Sequence, residues 1–151
     1  MRLRSKLLIP ALSIPLAIAL MSVGCSDPDE MTAVNVTLRE FSVNVDQATV
    51  PSGTVTFHVT NAGTVPHEFL VIKTDRAADA LPTRSNGSYD EDAAGTSLLD
   101  EIEDIAPGQS RDLTIDLDDA KYVLICNMVH VENGREDSHY ARGMRTAFQV
   151  N

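Results

Sequence analysis

The sequence predicts an all-β domain, a sandwich of two sheets. Three observations carry this. Short stretches alternate apolar and polar residues with a period of two, β-branched residues fill them, and Pro/Gly/Asn clusters punctuate them. The chain has 151 residues, 43% hydrophobic and 23% charged, enough for one compact domain and too few for two.

Val34, Val36 and Leu38 alternate with Asn35, Thr37 and Arg39, which gives the first strand one apolar face. Phe41, Val43 and Val45 continue in the opposite phase, so a bend or bulge is expected near Glu40. Pro51-Ser52-Gly53 is a turn signal. Val55, Phe57 and Val59 then alternate with threonines and His58, and Asn61-Ala62-Gly63 ends that strand. Residues 68–74 are largely apolar, as in a strand buried on both faces. Leu113, Ile115 and Leu117 alternate with acids and a threonine. Residues 121–127 form another strand, and 146–150 close the chain. Residues 75–95 lack periodicity and read as a long excursion, with a short helix expected near Ala77–Leu81. Residues 128–138 read as a polar insertion that begins like an extra hairpin.

Upstream of this domain the pattern changes. Arg2, Arg4 and Lys6 precede an apolar stretch over 7–20 that holds Pro10 and Pro15. It is short for a membrane span and has the form of a signal peptide. Ser22-Val23-Gly24-Cys25 follows and resembles a bacterial lipobox, although Ser22 stands where Leu or Val is usual. The resemblance implies cleavage before Cys25 and lipidation of Cys25. The alternative is an ordinary secretory signal with Cys25 a free thiol. The expected organisation is a signal peptide over 1–24, a polar tether over 25–32 and a domain over 33–151. The product is then exported and held to a membrane by lipid, facing the periplasm or the cell exterior.

Acidic residues outnumber basic ones 22 to 12, for a formal charge of −10. Loss of 1–24 removes three basic residues and no acid, leaving −13. Such a balance excludes nucleic-acid binding, which needs a basic surface. The acids fit either steering of a basic partner or solubility. No nucleophile–base pattern, phosphate-cradling glycine loop or paired-carboxylate site is present.

Two stretches carry chemistry. One is Asn61-Ala-Gly-Thr-Val-Pro-His67-Glu-Phe69. The other is Cys126-Asn127, followed after the insertion by His139-Tyr-Ala-Arg-Gly-Met144. A thiolate, two imidazoles and a thioether form the donor set that suits copper. Alone, Cys126 and Met144 would read as core residues and His67 as a loop histidine. His58 falls on the threonine face of its strand and reads as a surface residue.

Together these stretches resemble the cupredoxins, small type 1 blue-copper proteins. Asn-x-Gly-x-x-x-His-x-Phe is similar to the segment holding that family's first histidine. Cys-Asn and His-Tyr-x-x-Gly-Met are similar to the loop holding its other ligands. The resemblance implies a Greek-key sandwich over 33–151. It also implies one copper ion cycling between Cu(I) and Cu(II), with His67, Cys126, His139 and Met144 as ligands. The role it implies is one-electron transfer to a redox protein, without enzymatic activity. In that family the exposed edge of the second histidine passes the electron, here His139, with Tyr140 and Met128 beside it. One feature departs from the pattern. Twelve residues separate Cys126 from His139, where two to four are usual, and His130 in that loop competes for the second-histidine role. Other readings of the same residues are a copper-delivery protein with a labile site and a metal-free interaction module.

Overall fold

The computed structural model describes residues 31–151; the expected signal peptide and Cys25 lie outside them. Eleven strands and one short helix follow in order. They are β1 (Thr32–Arg39), β2 (Ser42–Val45), β3 (Thr49–Val50), β4 (Gly53–Asn61), β5 (His67–Lys73) and β6 (Ser97–Ile105). Then come β7 (Ser110–Leu117), β8 (Ala120–Ile125), β9 (Val129–Glu132), β10 (Arg135–Ser138), α1 (His139–Arg142) and β11 (Arg145–Val150). One sheet has the order β2-β1-β4-β7 and the other β3-β11-β8-β5-β6, with β9 and β10 forming a separate hairpin. The chain passes between sheets from β2 to β3, β3 to β4, β4 to β5, β6 to β7 and β7 to β8, which winds the sandwich as the predicted Greek key.

The apolar alternation does what its period requires. Along the parallel pairing of β1 and β4, Val34 lies opposite Phe57 and Val36 opposite Val59, and these four, with Leu38 and Val55, are buried in the core between the sheets. Phe57 anchors that core, its ring 5.3 Å from Phe69 and 5.4 Å from Phe148 between centroids. Strands β5 and β8 are apolar on both faces because both faces are covered. Leu70, Ile72, Val123 and Ile125 point away from the first core into a second one, roofed by Leu81, Tyr89 and Tyr140.

Three expectations change. The phase shift at Glu40 marks a full reversal rather than a bend: β2 turns back antiparallel on β1, with Arg39 opposite Ser42. No helix forms at Ala77–Leu81. The segment makes a single turn, Ala80 N donating to Ala77 O at 2.9 Å. Leu81 N donates to the Tyr140 hydroxyl at 3.1 Å, and that hydroxyl donates to Ala78 O at 2.9 Å. Tyr140 thus takes the backbone partners a helix would use, and Pro82 disfavours helical geometry at Leu81. Finally, β6 is a strand that alternation did not reveal. It lies at a sheet edge, and register shifts opposite His67/Phe69 and Val71/Ile72 break its period. Its buried residues Ile102 and Ile105 therefore stand three apart. Its acids also discourage pairing with another edge.

Tyr140→Phe should cost about 1–3 kcal/mol in denaturant unfolding, because two backbone groups of the 75–95 excursion, Leu81 N and Ala78 O, lose their partner. Amide exchange at Leu81 should accelerate selectively; an unchanged rate there would contradict the role assigned to the hydroxyl.

Candidate metal centre

The site lies at one end of the sandwich, where the β4–β5 turn, the end of β8 and the β10–α1–β11 segment meet. Asn61 builds the first part. Its Nδ2 donates to Val65 O and to Ile105 O, both at 2.8 Å, and its Oδ1 accepts from Gly63 N at 2.8 Å. The 62–66 turn is fixed to β6 through one buried amide. It delivers His67 as the first residue of β5, fully buried.

Cys126 directly follows β8 and belongs to the apolar core. It is a free thiol, and Glu68 N points at its Sγ from 3.4 Å. Asn127 anchors the next step of chain. Its Oδ1 accepts from Tyr89 N at 2.6 Å, and its Nδ2 donates to Tyr89 O at 3.1 Å and Glu91 Oε1 at 3.0 Å.

The insertion then leaves and returns. Residues β9 and β10 pair from Ser138–Val129 to Arg135–Glu132, and His139 N donates to Met128 O at 2.9 Å. Twelve residues are therefore pinched at the neck, so His139 returns beside Met128, two positions after Cys126. Ser138 caps α1, its Oγ accepting from Ala141 N at 3.2 Å and donating to Gly87 O at 2.9 Å. Gly143 ends the helix with φ 117°, a left-handed conformation that favours glycine. That reversal explains the His-x4-Met spacing. Met144 N donates to His139 O at 3.0 Å, and Cys126 N donates to Met144 O at 3.1 Å. Met144 is fully buried in the same core as Cys126.

Three donor atoms converge. His67 Nδ1 and His139 Nδ1 are 3.2 Å apart, and Cys126 Sγ is 3.7 Å from the first and 3.4 Å from the second. The point equidistant from all three lies about 2.0 Å from each, the length of a zinc–imidazole bond, roughly 2.0–2.1 Å, and slightly short of a zinc–thiolate bond, roughly 2.3 Å. Burial pushes the Cys126 thiol up to about 12. It lowers both histidines, His139 further through His67. The free site is thus a neutral thiol facing neutral imidazoles. A bound cation reverses that preference for the sulfur. The residues fit a soft metal ion in donor type, spacing and exclusion of water.

His130 takes no part: it is exposed on β9, opposite Asp137. His58 is exposed as expected, its Nδ1 2.7 Å from Asp112 Oδ1. The second histidine is not open-edged. His139 is 3% exposed, with the Phe41 ring packed edge-on at 5.4 Å and the Arg142 guanidinium over Phe41 at 4.2 Å. Tyr140 is buried under the excursion rather than offered beside the site. Two residues of the site escaped sequence reading, Glu40 and Phe41. The phase break located their turn but gave no sign that it reaches the histidines.

A sequence model of the cupredoxin-like domain matches residues 12–135. The chain belongs to the cupredoxin-like family. The match includes His67 and Cys126 and stops within the hairpin, before His139. Among solved structures, the dithionite-reduced auracyanin of Roseiflexus castenholzii shares this cupredoxin fold at 22% identity and a TM-score of 0.55, covering 80% of this chain and 97% of that one. Auracyanin A of Chloroflexus aurantiacus, described as a "blue" copper protein, is 17% identical with a TM-score of 0.51, covering 81% and 100%. None of the curated proteins compared with the chain matches it.

Asn61→Ala should lower the unfolding free energy by about 2–3 kcal/mol, since Ile105 O and Gly63 N lose their partner together. A loss under ~0.5 kcal/mol in a urea titration would contradict the bracing role.

Proposed function

We propose that this chain is a copper-binding one-electron carrier, with His67, Cys126, His139 and Met144 as its ligands. The observation that carries the reading is the triangle of two imidazole nitrogens and one sulfur around a single point. Copper bound there would supply a Cu(I)/Cu(II) couple. The chain's part is to hold its donors still. His67 and Cys126 sit at the ends of core strands, and His139 is tied through its own N–H and C=O to Met128 and Met144. Little rearrangement then accompanies a change of charge at the site, and the apolar surroundings keep water out. Met144 is read as the fourth donor, a thioether that would complete the set, from its burial and its backbone ties to Cys126 and His139. Four protein donors leave no position for a substrate, which favours a carrier over an enzyme. Burial of all the donors favours retention of the metal over delivery.

The electron is proposed to pass to a redox protein through the cover formed by Phe41 and Arg142 over His139, since the imidazole edge itself is enclosed. The place of work is proposed to be the exported face of a membrane, with Cys25 lipidated. The support is the charged, apolar and small-residue order of the leader. No helix among the described residues is long and apolar enough to cross a membrane.

Cu(II) added to the purified, reduced chain should give an intense visible thiolate-to-copper band and a narrow hyperfine splitting in EPR. Cys126→Ser and His139→Ala should abolish the band, while His130→Ala keeps it. No band in the folded wild-type chain, or bleaching by His130→Ala alone, overturns the assignment. Copper at a hundred times its dissociation constant should stabilise the fold by about 2.7 kcal/mol, read as a rise in melting temperature. Cys25→Ala should release the protein from membranes of a host that processes lipoproteins; an unanchored wild-type protein sinks the lipid reading.

A further inference from the structure

The β1–β2 turn touches both site histidines: Phe41 packs on His139, and Glu40 reaches His67. Glu40 Oε1 accepts hydrogen bonds from Thr64 N at 2.7 Å and Val65 N at 2.9 Å. The same oxygen lies 3.3 Å from His67 Nε2. That nitrogen is fully buried and has no aligned hydrogen-bond partner, so Glu40 is the acceptor within its reach. The sequence also makes room for the carboxylate. A β-carbon at Gly63 would sit 2.7 Å from Glu40 Oε2 and 2.8 Å from its Cδ, closer than real side chains tolerate.

We propose that Glu40 is a positioning residue for the metal centre: its carboxylate holds the His67 ring proton on Nε2 and thereby presents the Nδ1 lone pair to Cys126 and His139. A neutral imidazole carries one ring proton, and its partner decides which nitrogen keeps it. Glu40 also places a negative charge one ring away from the point where the donors meet. That charge favours the more positive state of a bound metal, Cu(II) over Cu(I). The charge effect rests on the copper reading; the proton placement does not.

Two variants of the full chain separate this role from simple bracing of the 62–66 turn. Glu40→Gln keeps an oxygen that can accept the same hydrogen bonds but removes the charge. Glu40→Ala removes both. In the metal-free chain, ring nitrogen-15 NMR at neutral pH should show His67 protonated at Nε2 in wild type and Glu40→Gln. Glu40→Ala should lose that preference, as should Gly63→Ala, which displaces the carboxylate without altering it. In the copper-loaded chain, Glu40→Gln should weaken Cu(II) binding relative to Cu(I) about tenfold, a rise in reduction potential of about 59 mV for one electron.

A merely structural turn brace would lower the melting temperature of Glu40→Ala while leaving the tautomer in place. An unchanged His67 tautomer in Glu40→Ala and Gly63→Ala overturns the proposal. If Glu40→Ala does not fold, Gly63→Ala decides the proton placement. An unmoved potential in Glu40→Gln overturns the charge effect. If the wild-type chain forms no blue site, the copper reading fails, and the metal-free NMR alone decides the role of Glu40.

Discussion

Two imidazoles, which prefer water, and a thiol are held within 3.7 Å of one another inside an apolar shell. Keeping them there without solvent is the constraint to which the surrounding structure answers. Each donor emerges from an element fixed at both sides. His67 leaves a turn braced by Asn61 and enters a strand buried on both faces. Cys126 ends a second such strand and hands over to Asn127, which is locked to the 75–95 excursion. His139 sits between a hairpin neck and a glycine reversal. A displaced donor would leave a polar atom facing hydrocarbon, so the cost of disorder is built into the location.

The two sheets were legible because alternation and burial share one cause. Val34, Val36 and Leu38 announce a half-buried strand, and residues 68–74 announce one covered twice. What covered the second face was not legible. The 75–95 excursion carries Leu81 and Tyr89 without a period, and it docks through Tyr140, sixty residues away in sequence. Strand β6 was missed for a related reason, because its register shifts and its exposed acids erase the two-residue repeat that identifies a strand.

The three side chains that converge, His67, Cys126 and His139, were readable in the sequence, and their surroundings were not. The His67 segment and the Cys126 and His139–Met144 pair each carry a local signature, with turn residues placed where turns are needed. Glu40 and Phe41 carry none. A glutamate after a strand looks like any solvated acid until the β1–β2 reversal brings it against the 62–66 turn. Gly63 is the nearest thing to a signal, a glycine whose missing side chain makes space for a carboxylate 23 positions earlier. The twelve-residue gap before His139 misleads in the other direction, since chain length between two residues does not measure the distance between them once a hairpin closes the loop.

That hairpin has a consequence for how the molecule can vary. Because β9 and β10 pair from Ser138–Val129 outward and His139 N donates to Met128 O at their base, the hairpin tip reaches the donors only through that base and through Asp137, which lies 2.8 Å from Arg142. The tip can lengthen, shrink or change its chemistry while Asp137, Ser138 and the neck stay pinned. It behaves as a graft on a fixed stock, a surface free to diversify next to a centre that must not.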